Sequence, residues 1–345
     1  MLAAEFTPGA GFSIINQDSL PLQASEVRLR VDACGVCGSD RQVVKGESVP
    51  AGTTFPLIMG HEIAGTVIEV GEAVTDWQCG DQVVVHPFQS CGACAACRSG
   101  EPNLCIRQTC VGYHQPGGFA EAVAVSDHQL VKRSTACSGP AAALLVDAFA
   151  TPYHALKQLG IEKGDNVLVI GTGGLGLATL RLARLFNVEK LGAMTRRTSG
   201  SDLAEKFDAD FAITLEDPRS TARVVRRAFG AKGVDAVIDT VGTEMTASLA
   251  MDVVRPGGTV MVVGMSDDFV PIPMAKTVRR GLRFLTSYGS VMDDIRELMV
   301  FVDEGLLDPD ELIAGTLPLR DIERAFSDER ASGRWVVIPN KSACI

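Results

Sequence analysis

The sequence has no long hydrophobic run and no excess of positive charge. No stretch approaches the roughly 18 uncharged apolar residues that a membrane-spanning helix needs. The first residues, MLAAEFTPGAGFSII, lack the basic start and sustained apolar run of a secretory signal. A formal net charge of -10 argues against general binding to nucleic acid. We therefore expect a cytoplasmic protein with neither a membrane nor a nucleic acid as partner.

Internal repeats and low-complexity segments are also lacking, and the composition, 46% apolar and 21% charged, is that of a folded globular protein. At 345 residues the chain predicts two domains of about 150 residues each. Short strands and turns up to about residue 139 predict an irregular β domain, with strands at 27–32, 63–70, 82–86 and 122–125. From about residue 160 strands alternate with helices, which predicts a doubly wound parallel sheet and an α/β fold.

Four cysteines lie close together in the segment CGACAACRSGEPNLC, which is poor in apolar residues. They are Cys91, Cys94, Cys97 and Cys105. Four thiolates at this spacing suit one tetrahedral zinc ion with no open position, and hence a structural site. The alternatives are disulfides, unrelated buried thiols or a redox pair; ten cysteines without a signal peptide favour metal ligation and free thiols.

A second set of candidate ligands is dispersed along the chain. Cys37 lies in ACGVCGSD, His61 in MGHE, and Asp147 follows much later. One thiolate, one imidazole and one carboxylate suit a catalytic zinc that keeps a fourth position open. Each residue alone is weak evidence, because a single cysteine is usually a packed thiol and a single histidine is usually hydrogen-bonded in a core.

A glycine-rich turn marks the start of the second domain. A short apolar strand at 167–170 runs into GTGGLG, and apolar residues at helical spacing continue to residue 186. This order of strand, turn and helix is the context that a dinucleotide-binding fingerprint requires. Gly171 permits the tight turn, Gly173 lets the backbone approach a pyrophosphate, and Gly176 lets the helix pack closely. We include the intervening Gly174 and Leu175 in this candidate cofactor site.

The predicted second strand of this domain, 190–194, is followed by Thr195, Arg196 and Arg197. An NAD-binding unit would have an acidic residue here for the ribose 2′-hydroxyl. Two guanidinium groups instead suit a 2′-phosphate, so the sequence favours NADP(H) over NAD(H); a solvated charged turn is the alternative. Further strands are predicted at 234–239, 259–263 and 282–287, with a turn at 255–258, and we add Val241, Gly264 and Met265 to the cofactor-binding candidates.

Together, ACGVCGSD, MGHE, the four-cysteine segment, GGFAE at 117–121, VDAFATPYHAL at 146–156, GTGGLG and RPGG at 255–258 resemble one family. This family is the zinc-dependent alcohol dehydrogenases of the medium-chain dehydrogenase/reductase superfamily. The resemblance implies a GroES-like catalytic domain at 1–147 with a zinc lobe at 91–105, a Rossmann domain at 148–288, and a C-terminal return to the catalytic domain at 289–345. An amphipathic helix after residue 289 and a strand at 334–338 belong to that return.

Residue by residue, the resemblance implies that Cys37, His61 and Asp147 bind the catalytic zinc and that Glu62 can approach it as a fourth ligand. A carboxylate as third ligand resembles the bacterial secondary-alcohol branch. Asp40 matches the acid that orients the zinc-bound histidine.

The resemblance also implies that Ser39 accepts the substrate proton and that Thr151 packs against the nicotinamide ring. Position 42 is Gln, where many relatives carry a histidine that ends the proton relay. Gln cannot titrate near neutral pH. We therefore expect the proton to leave through Ser39, the ribose and water.

These features predict an oxidoreductase that uses two zinc ions per chain and NADP(H) to interconvert an alcohol with its ketone or aldehyde. A secondary alcohol or a polyol is the expected substrate, and a homodimer or homotetramer is expected by analogy. Two alternatives remain: a zinc-free enoyl or quinone reductase of the same superfamily, and a non-enzymatic zinc-lobed binding protein. Metal content distinguishes these hypotheses: the dehydrogenase would contain two zinc ions per chain, the reductase none and the binding protein one.

Overall fold

The strands are described from a computed structural model, which describes residues 1–18, 21–328 and 333–340. In chain order they are β1 (Leu2–Thr7), β2 (Gly11–Asn16), β3 (Glu26–Gly35), β4 (Leu57–Ile58), β5 (Glu62–Val70), β6 (Gln82–Val85), β7 (Phe88–Gln89), β8 (Thr109–Cys110), β9 (Ala122–Ser126), β10 (Leu130–Lys132), β11 (Asn166–Ile170), β12 (Lys190–Thr195), β13 (Phe211–Thr214), β14 (Val234–Asp239), β15 (Val254–Val262), β16 (Arg283–Thr286), β17 (Ile313–Pro318) and β18 (Arg334–Ile338).

The α-helices are α1 (Gly38–Lys45), α2 (Ala95–Arg98), α3 (Gly139–Leu144), α4 (Ala150–Leu159), α5 (Gly174–Ala183), α6 (Thr198–Lys206), α7 (Pro218–Phe229), α8 (Glu244–Val253), α9 (Met274–Arg280), α10 (Met292–Asp303) and α11 (Ile322–Ser327). A π-helical turn, Leu145–Phe149, joins α3 to α4. Short 3-10 turns are Pro102–Leu104, Asp127–Gln129, Arg184–Phe186, Gly230–Lys232, Pro309–Leu312 and Leu319–Asp321. Within the described ranges no helix has both the length and the apolar character needed to cross a membrane.

The first of two compact units comprises Met1–Ala150 and Ser290–Ile345. Its main sheet has seven strands in the order β10-β6-β5-β3-β18-β17, with β9 also paired to β3. The C-terminal strand β18 lies antiparallel to β3, with Val336 opposite Gly35. The end of the chain therefore completes the sheet that its beginning forms. Smaller sheets, β2-β1-β4 and β7-β8, belong to the same unit.

The second unit, Thr151–Gly289, contains a six-stranded parallel sheet in the order β13-β12-β11-β14-β15-β16. Strand β11 reads NVLVI, and all five residues are buried, as expected for a parallel strand covered on both faces. Strands β12 and β13 are added in turn on one side of β11, and strands β14, β15 and β16 are added in turn on its other side. That reversal creates the switch point at which doubly wound sheets bind ligands. The predicted fold class, a mixed β domain with a doubly wound parallel sheet, is confirmed.

The unit boundaries differ slightly from the predicted domain limits. The first falls after Ala150 and the second after Gly289, rather than after residues 147 and 288. Residues 329–332 and 341–345 of the predicted C-terminal return lie outside the described residues. The helix predicted to run to residue 186 ends as an α-helix at Ala183 and continues as the 3-10 turn Arg184–Phe186.

The predicted turn at 255–258 is wrong, because these residues lie within strand β15. The register of β15 against β14 shifts between Val234 and Ala236, so the RPGG segment bulges out of the ladder. Gly257 has φ +76°, which explains why a glycine occupies the bulge. The proline and glycines correctly indicated an interruption of regular strand pairing. They did not indicate that the same strand continues beyond the interruption.

The bulge is anchored by a carboxylate on β14. Arg255 Nε donates to Asp235 Oδ1 at 2.5 Å, and the Asn166 backbone N–H donates to Asp235 Oδ2 at 2.8 Å. Burial alone would raise the pKa of Asp235, but the Asn166 N–H, Arg255 and Lys232 outweigh it and lower this pKa below its usual value. The ionised carboxylate therefore ties three segments of the second unit together.

Candidate active site

The site begins where strand β3 passes into helix α1. Cys37 is the N-cap of α1, and its backbone N–H donates to Asp40 Oδ2 at 2.9 Å. Asp40 is fully buried and sits in the first turn of the helix, where a carboxylate is favoured by the helix dipole. A side chain at Gly35 would place its Cβ 1.9 Å from Glu62 Oε2. Glycine at this position therefore lets β3 approach the carboxylate of the neighbouring strand.

His61 and Glu62 lie where strand β5 begins. The preceding Gly60 has φ +95°, and a Cβ there would lie 2.7 Å from Phe119 and 2.8 Å from Cys34. Only glycine fits this conformation and this space. In the antiparallel pairing Glu62 is opposite Gly35, so His61 and Glu62 reach the start of α1. The register of the sheet thus brings the MGHE motif to the ACGVCGSD motif.

Asp147 joins this cluster from the π-helical turn Leu145–Phe149, a helical irregularity that often occurs at functional sites. Its Oδ2 lies 3.2 Å from Cys37 Sγ and 3.8 Å from His61 Nε2. With Glu62, the four potential ligand atoms all lie within 4.8 Å of one another. A tetrahedral zinc ion with bonds of about 2.0 to 2.3 Å holds its ligand atoms roughly 3.3 to 3.8 Å apart. The residues therefore fit a zinc ion.

Electrostatics support the same conclusion. Burial raises the pKa of the Cys37 thiol and raises the pKa of Glu62 to about 8, although the positive charge of Arg334 opposes both shifts. Both carboxylate oxygens of Glu62 are buried without a hydrogen-bond partner among the described residues. Burial thus disfavours the ionised forms of both ligands, and a bound cation would stabilise those forms.

Arg334 is a site residue that the sequence did not reveal. Its Nη2 lies 3.3 Å from Glu62 Oε1 and 3.7 Å from Asp147 Oδ2, at ion-pair distance but without hydrogen-bond geometry to Glu62. The side chain is 6% exposed. It reaches the cluster because β18 pairs with β3, and no local motif in RWVVI announces that pairing.

Tyr113 is a second residue that sequence reasoning missed. Its hydroxyl donates to Ser39 Oγ at 2.7 Å and lies 3.3 Å from Asp40 Oδ1. Asp40 Oδ1 is also 3.3 Å from Nδ1 of His61, although that nitrogen makes no hydrogen bond of acceptable geometry within the described part of the chain. The ring of Tyr113 packs 5.1 Å from the His61 ring. Ser39, Asp40 and His61, all predicted site residues, therefore meet around one tyrosine.

The four-cysteine segment forms a second cluster in the first unit. The sulfur of Cys97 lies 3.4 Å from that of Cys94 and 3.9 Å from that of Cys91, while Cys105 Sγ accepts the Cys91 N–H at 3.3 Å. All four sulfurs lie within 4.8 Å of one another, and all are free thiols, which contradicts the disulfide alternative. The backbone N–H of Ala93, with help from Arg107, lowers the pKa of Cys91 to about 5. The cluster fits a tetrahedral zinc with four thiolates.

The glycine turn of the second unit has the conformation that the fingerprint predicts. Gly171 has φ +100°, and α5 begins at Gly174 shortly after it. A Cβ at Gly176 would lie 2.0 Å from the Gly171 carbonyl oxygen, so glycine is required for this close packing. A Cβ at Gly173 would meet no atom of the described residues within 4 Å, which leaves this backbone open to a ligand.

Of the other predicted cofactor residues, Val241 lies beside this turn, since a Cβ at Gly171 would lie 2.9 Å from its side chain. A Cβ at Gly264 would contact the backbone of Val241 at 2.3 Å, so the loops after β14 and β15 touch. Met265 is exposed, whereas Thr151 is buried on α4. Asp239, which the sequence analysis missed, is fully buried and accepts the Val241 N–H at 2.9 Å. It holds the loop after β14 in place.

The three predicted residues at the end of β12 differ in burial. Thr195 is the last residue of the strand and is buried, and its hydroxyl accepts a hydrogen bond from Thr172 at 2.9 Å. Arg196 and Arg197 follow with exposed side chains. Thr195 therefore supports the turn, while the two guanidinium groups are the exposed cations at the end of the second strand.

Comparison with known proteins defines the class. The family model for the alcohol dehydrogenase GroES-like domain matches residues 23–135, and the model for zinc-binding dehydrogenases matches residues 174–304. The chain belongs to the zinc-binding alcohol dehydrogenases of the medium-chain dehydrogenase/reductase superfamily. The family predicted from the sequence motifs is thus confirmed.

Individual relatives cover nearly the whole chain. An alcohol dehydrogenase of Geobacillus stearothermophilus is 31% identical over 91% of this chain and 94% of its own length. The D-arabinose 1-dehydrogenase (NADP(+)) of Saccharolobus solfataricus is 32% identical over 92% of this chain and 91% of its own. The structure of the alcohol dehydrogenase TADH from Thermus sp. ATN1 superposes with a TM-score of 0.90 at 30% identity, covering 98% of this chain and 99% of its own.

Proposed function

We propose that this protein is a zinc-dependent dehydrogenase. It would transfer hydride from an alcohol to NADP, or in the reverse direction from NADPH to the corresponding ketone or aldehyde. A secondary alcohol or a polyol is the proposed substrate class. The observation that carries this proposal is the cluster of Cys37, His61, Glu62 and Asp147, whose ligand atoms lie within 4.8 Å of one another. A thiolate, an imidazole and a carboxylate are typical ligands of a zinc that keeps one position for substrate.

Each residue of the cluster has a definable task. A zinc ion held there would supply a Lewis acid that lowers the pKa of the substrate hydroxyl or polarises its carbonyl. Asp40 faces Nδ1 of His61 and so orients the ring with Nε2 toward Asp147. Ser39, half-buried beside them, provides the hydroxyl that exchanges a proton with the substrate oxygen. NADP(H) would supply the hydride acceptor or donor.

The preference for NADP(H) rests on Arg196 and Arg197. Both side chains are exposed directly after β12, where guanidinium groups can bind a 2′-phosphate in bidentate fashion. The relative named for NADP(+) is in keeping with this preference. The open backbone at Gly173 supports binding of the pyrophosphate at the start of α5.

We assign one further zinc ion to Cys91, Cys94, Cys97 and Cys105, where it would have a structural role. This second site argues against a zinc-free enoyl or quinone reductase, which would need neither set of ligands. The first cluster in turn argues against a non-enzymatic zinc-lobed protein, for which Cys37, His61 and Asp147 would have no task.

We also propose that two copies associate through the edge of the parallel sheet. Strand β16 pairs with β15 and has no other strand beside it among the described residues. Leu285 on β16 is 39% exposed, and the segment between β15 and β16 exposes further apolar side chains, Phe269 at 85%, Val278 at 69% and Met274 at 62%. An exposed apolar edge strand favours association with a second copy. Leu285→Asp should lower the mass measured by analytical ultracentrifugation, and an unchanged mass would exclude this edge as the interface.

The test combines metal analysis with kinetics. We expect two zinc ions per chain by mass spectrometry, and turnover of primary, secondary or polyhydroxy alcohols with NADP at a higher kcat/KM than with NAD. Cys37→Ser should lose one zinc ion and all turnover while it still folds and binds NADP. A wild-type protein that contains zinc at both sites but oxidises no alcohol and reduces no carbonyl would refute the proposed function.

A further inference from the structure

The hydroxyl of Tyr113 lies where the candidate proton donor meets the metal-binding cluster. Tyr113 is 7% exposed, and its O–H faces two acceptors, Ser39 Oγ at 2.7 Å and Asp40 Oδ1 at 3.3 Å. A phenol has one hydrogen to donate, whereas a serine hydroxyl can both donate and accept. The hydrogen that Tyr113 gives to one acceptor is therefore unavailable to the other.

The turn that carries Tyr113 is held rigidly. Gly112 has φ +81°, and a Cβ there would lie 2.8 Å from the carbonyl oxygen of Gly60. The Cys110 N–H donates to His114 Nδ1 at 3.0 Å, which leaves the hydrogen of the neutral ring on Nε2, 3.0 Å from the Ala51 carbonyl oxygen. Because the backbone is fixed on both sides of Tyr113, its hydroxyl has a defined position.

We propose that Tyr113 is a positioning residue that sets the direction of the Ser39 O–H bond, an inference that rests on the proposed dehydrogenase function. While Tyr113 donates to Ser39, as the structure shows, the Ser39 hydrogen is free to be donated to a substrate carbonyl oxygen. When the Tyr113 hydrogen turns to Asp40, Ser39 can donate to the phenol oxygen and accept the hydrogen of a substrate hydroxyl. This reorientation changes only hydrogen bonds and leaves both hydroxyls neutral, while the proton that Ser39 exchanges with the substrate oxygen would pass on through the cofactor ribose and water.

This role explains how Ser39 can serve both directions of the reaction in a chain with Gln at position 42. The ring of Tyr113 packs on His61, and that contact would persist if the hydroxyl were removed. The ring and the hydroxyl therefore have separable effects. Phenylalanine at position 113 removes one oxygen atom and keeps the packing.

A double-mutant cycle tests the proposal. Tyr113→Phe, Ser39→Ala, their combination and the control Tyr153→Phe, a buried tyrosine in the second unit, are compared with wild-type protein. We expect Tyr113→Phe to lower kcat roughly tenfold, less than the 10²- to 10⁴-fold supplied by a proton-transferring group itself, with KM changed by less than about twofold. In the Ser39→Ala background the same change should have no further effect, because Tyr113 acts through Ser39.

Zinc content, melting temperature and NADP binding are measured on every variant and should match wild type for Tyr113→Phe. An unchanged kcat, or the same tenfold loss in the Ser39→Ala background, overturns the proposal. Loss of zinc or of folding in Tyr113→Phe overturns it as well, because the hydroxyl would then be structural. If zinc-loaded wild-type protein turns over no substrate, the proposed function itself fails and takes this inference with it.

Discussion

Replacing Arg334 by methionine should destabilise the first unit strongly. The Arg334 side chain is 6% exposed, and it faces Glu62, which is fully buried, at 3.3 Å and Asp147 at 3.7 Å. Methionine fills a similar volume but leaves Glu62 without its cation. Burial raises the pKa of Glu62 to about 8, so above that pH the carboxylate is ionised and the lost ion pair costs about 3 to 5 kcal/mol, because the remaining charge stays desolvated. A domain of 150 to 250 residues loses roughly 2 to 4 °C in Tm for each kcal/mol, so a fall of about 6 to 20 °C is expected.

The matched control is an ion pair at the surface. Arg296 lies 2.6 Å from Asp293, and the two side chains are 57% and 72% exposed. Because solvent screens such a pair, Arg296→Met should cost less than about 1 kcal/mol. Both variants are unfolded by heat and by urea in the zinc-loaded state, above pH 8, and followed by circular dichroism. Equal losses for the two variants would refute the reasoning.

A second variant separates charge from packing. If the cost of Arg334→Met comes from the unpaired carboxylate, adding Glu62→Gln should recover part of the lost stability, since the amide carries no charge. If the cost comes from lost packing around the guanidinium, Glu62→Gln should add its own loss. An additive double variant would therefore contradict the electrostatic explanation.

Three further changes probe other parts of the molecule. Replacing Arg196 and Arg197 by Gln should lower kcat/KM for NADP relative to NAD about tenfold or more, whereas Arg219→Gln on α7 should not; an unchanged ratio would exclude 2′-phosphate binding. Cys97→Ser should remove one of two zinc ions and lower Tm, and full zinc retention would contradict the four-thiolate site. The folded-state pKa of Asp235 is lowered, so its stabilisation is present above its unfolded pKa of about 3.9 and lost as pH falls through the folded value. Asp235→Asn should therefore lower the free energy of unfolding by roughly 1 kcal/mol at pH 7, allowing for screening, but by little at pH 2. Urea unfolding at both pH values measures this difference, and a loss independent of pH would contradict the role of the ionised carboxylate.

The features that sequence predicted well are those whose chemistry is local. The strand, glycine turn and helix around Gly171–Gly176 follow one another in the chain, and each glycine answers a short-range steric need. The same holds for Cys91, Cys94 and Cys97, which one loop can wrap around an ion. Such motifs fix their own geometry, so residue identity and spacing suffice to predict it.

Two of the features that the sequence analysis missed depend on contacts between distant segments. Arg334 reaches Glu62 only because β18 lies beside β3, and the register of that pairing is set by the whole sheet. Tyr113 reaches Ser39 because Gly112 packs on Gly60 in another loop. In both cases the isolated segment resembles an ordinary strand or turn. The bulge at 255–258 has the same origin, since its partner on β14 decides that the strand continues.

The charges around the first cluster show why a divalent ion and Arg334 belong together. With Cys37 as thiolate, the carboxylates of Asp40, Glu62 and Asp147 bring the negative charges of this largely buried site to four, and Arg334 supplies one positive charge. Desolvated charge without compensation is costly, so the cluster needs further positive charge. A zinc ion in the proposed site would supply two of those charges. Glu62 could then remain paired with Arg334 while, in the proposed function, Cys37, His61 and Asp147 hold the metal and the fourth position is left for substrate.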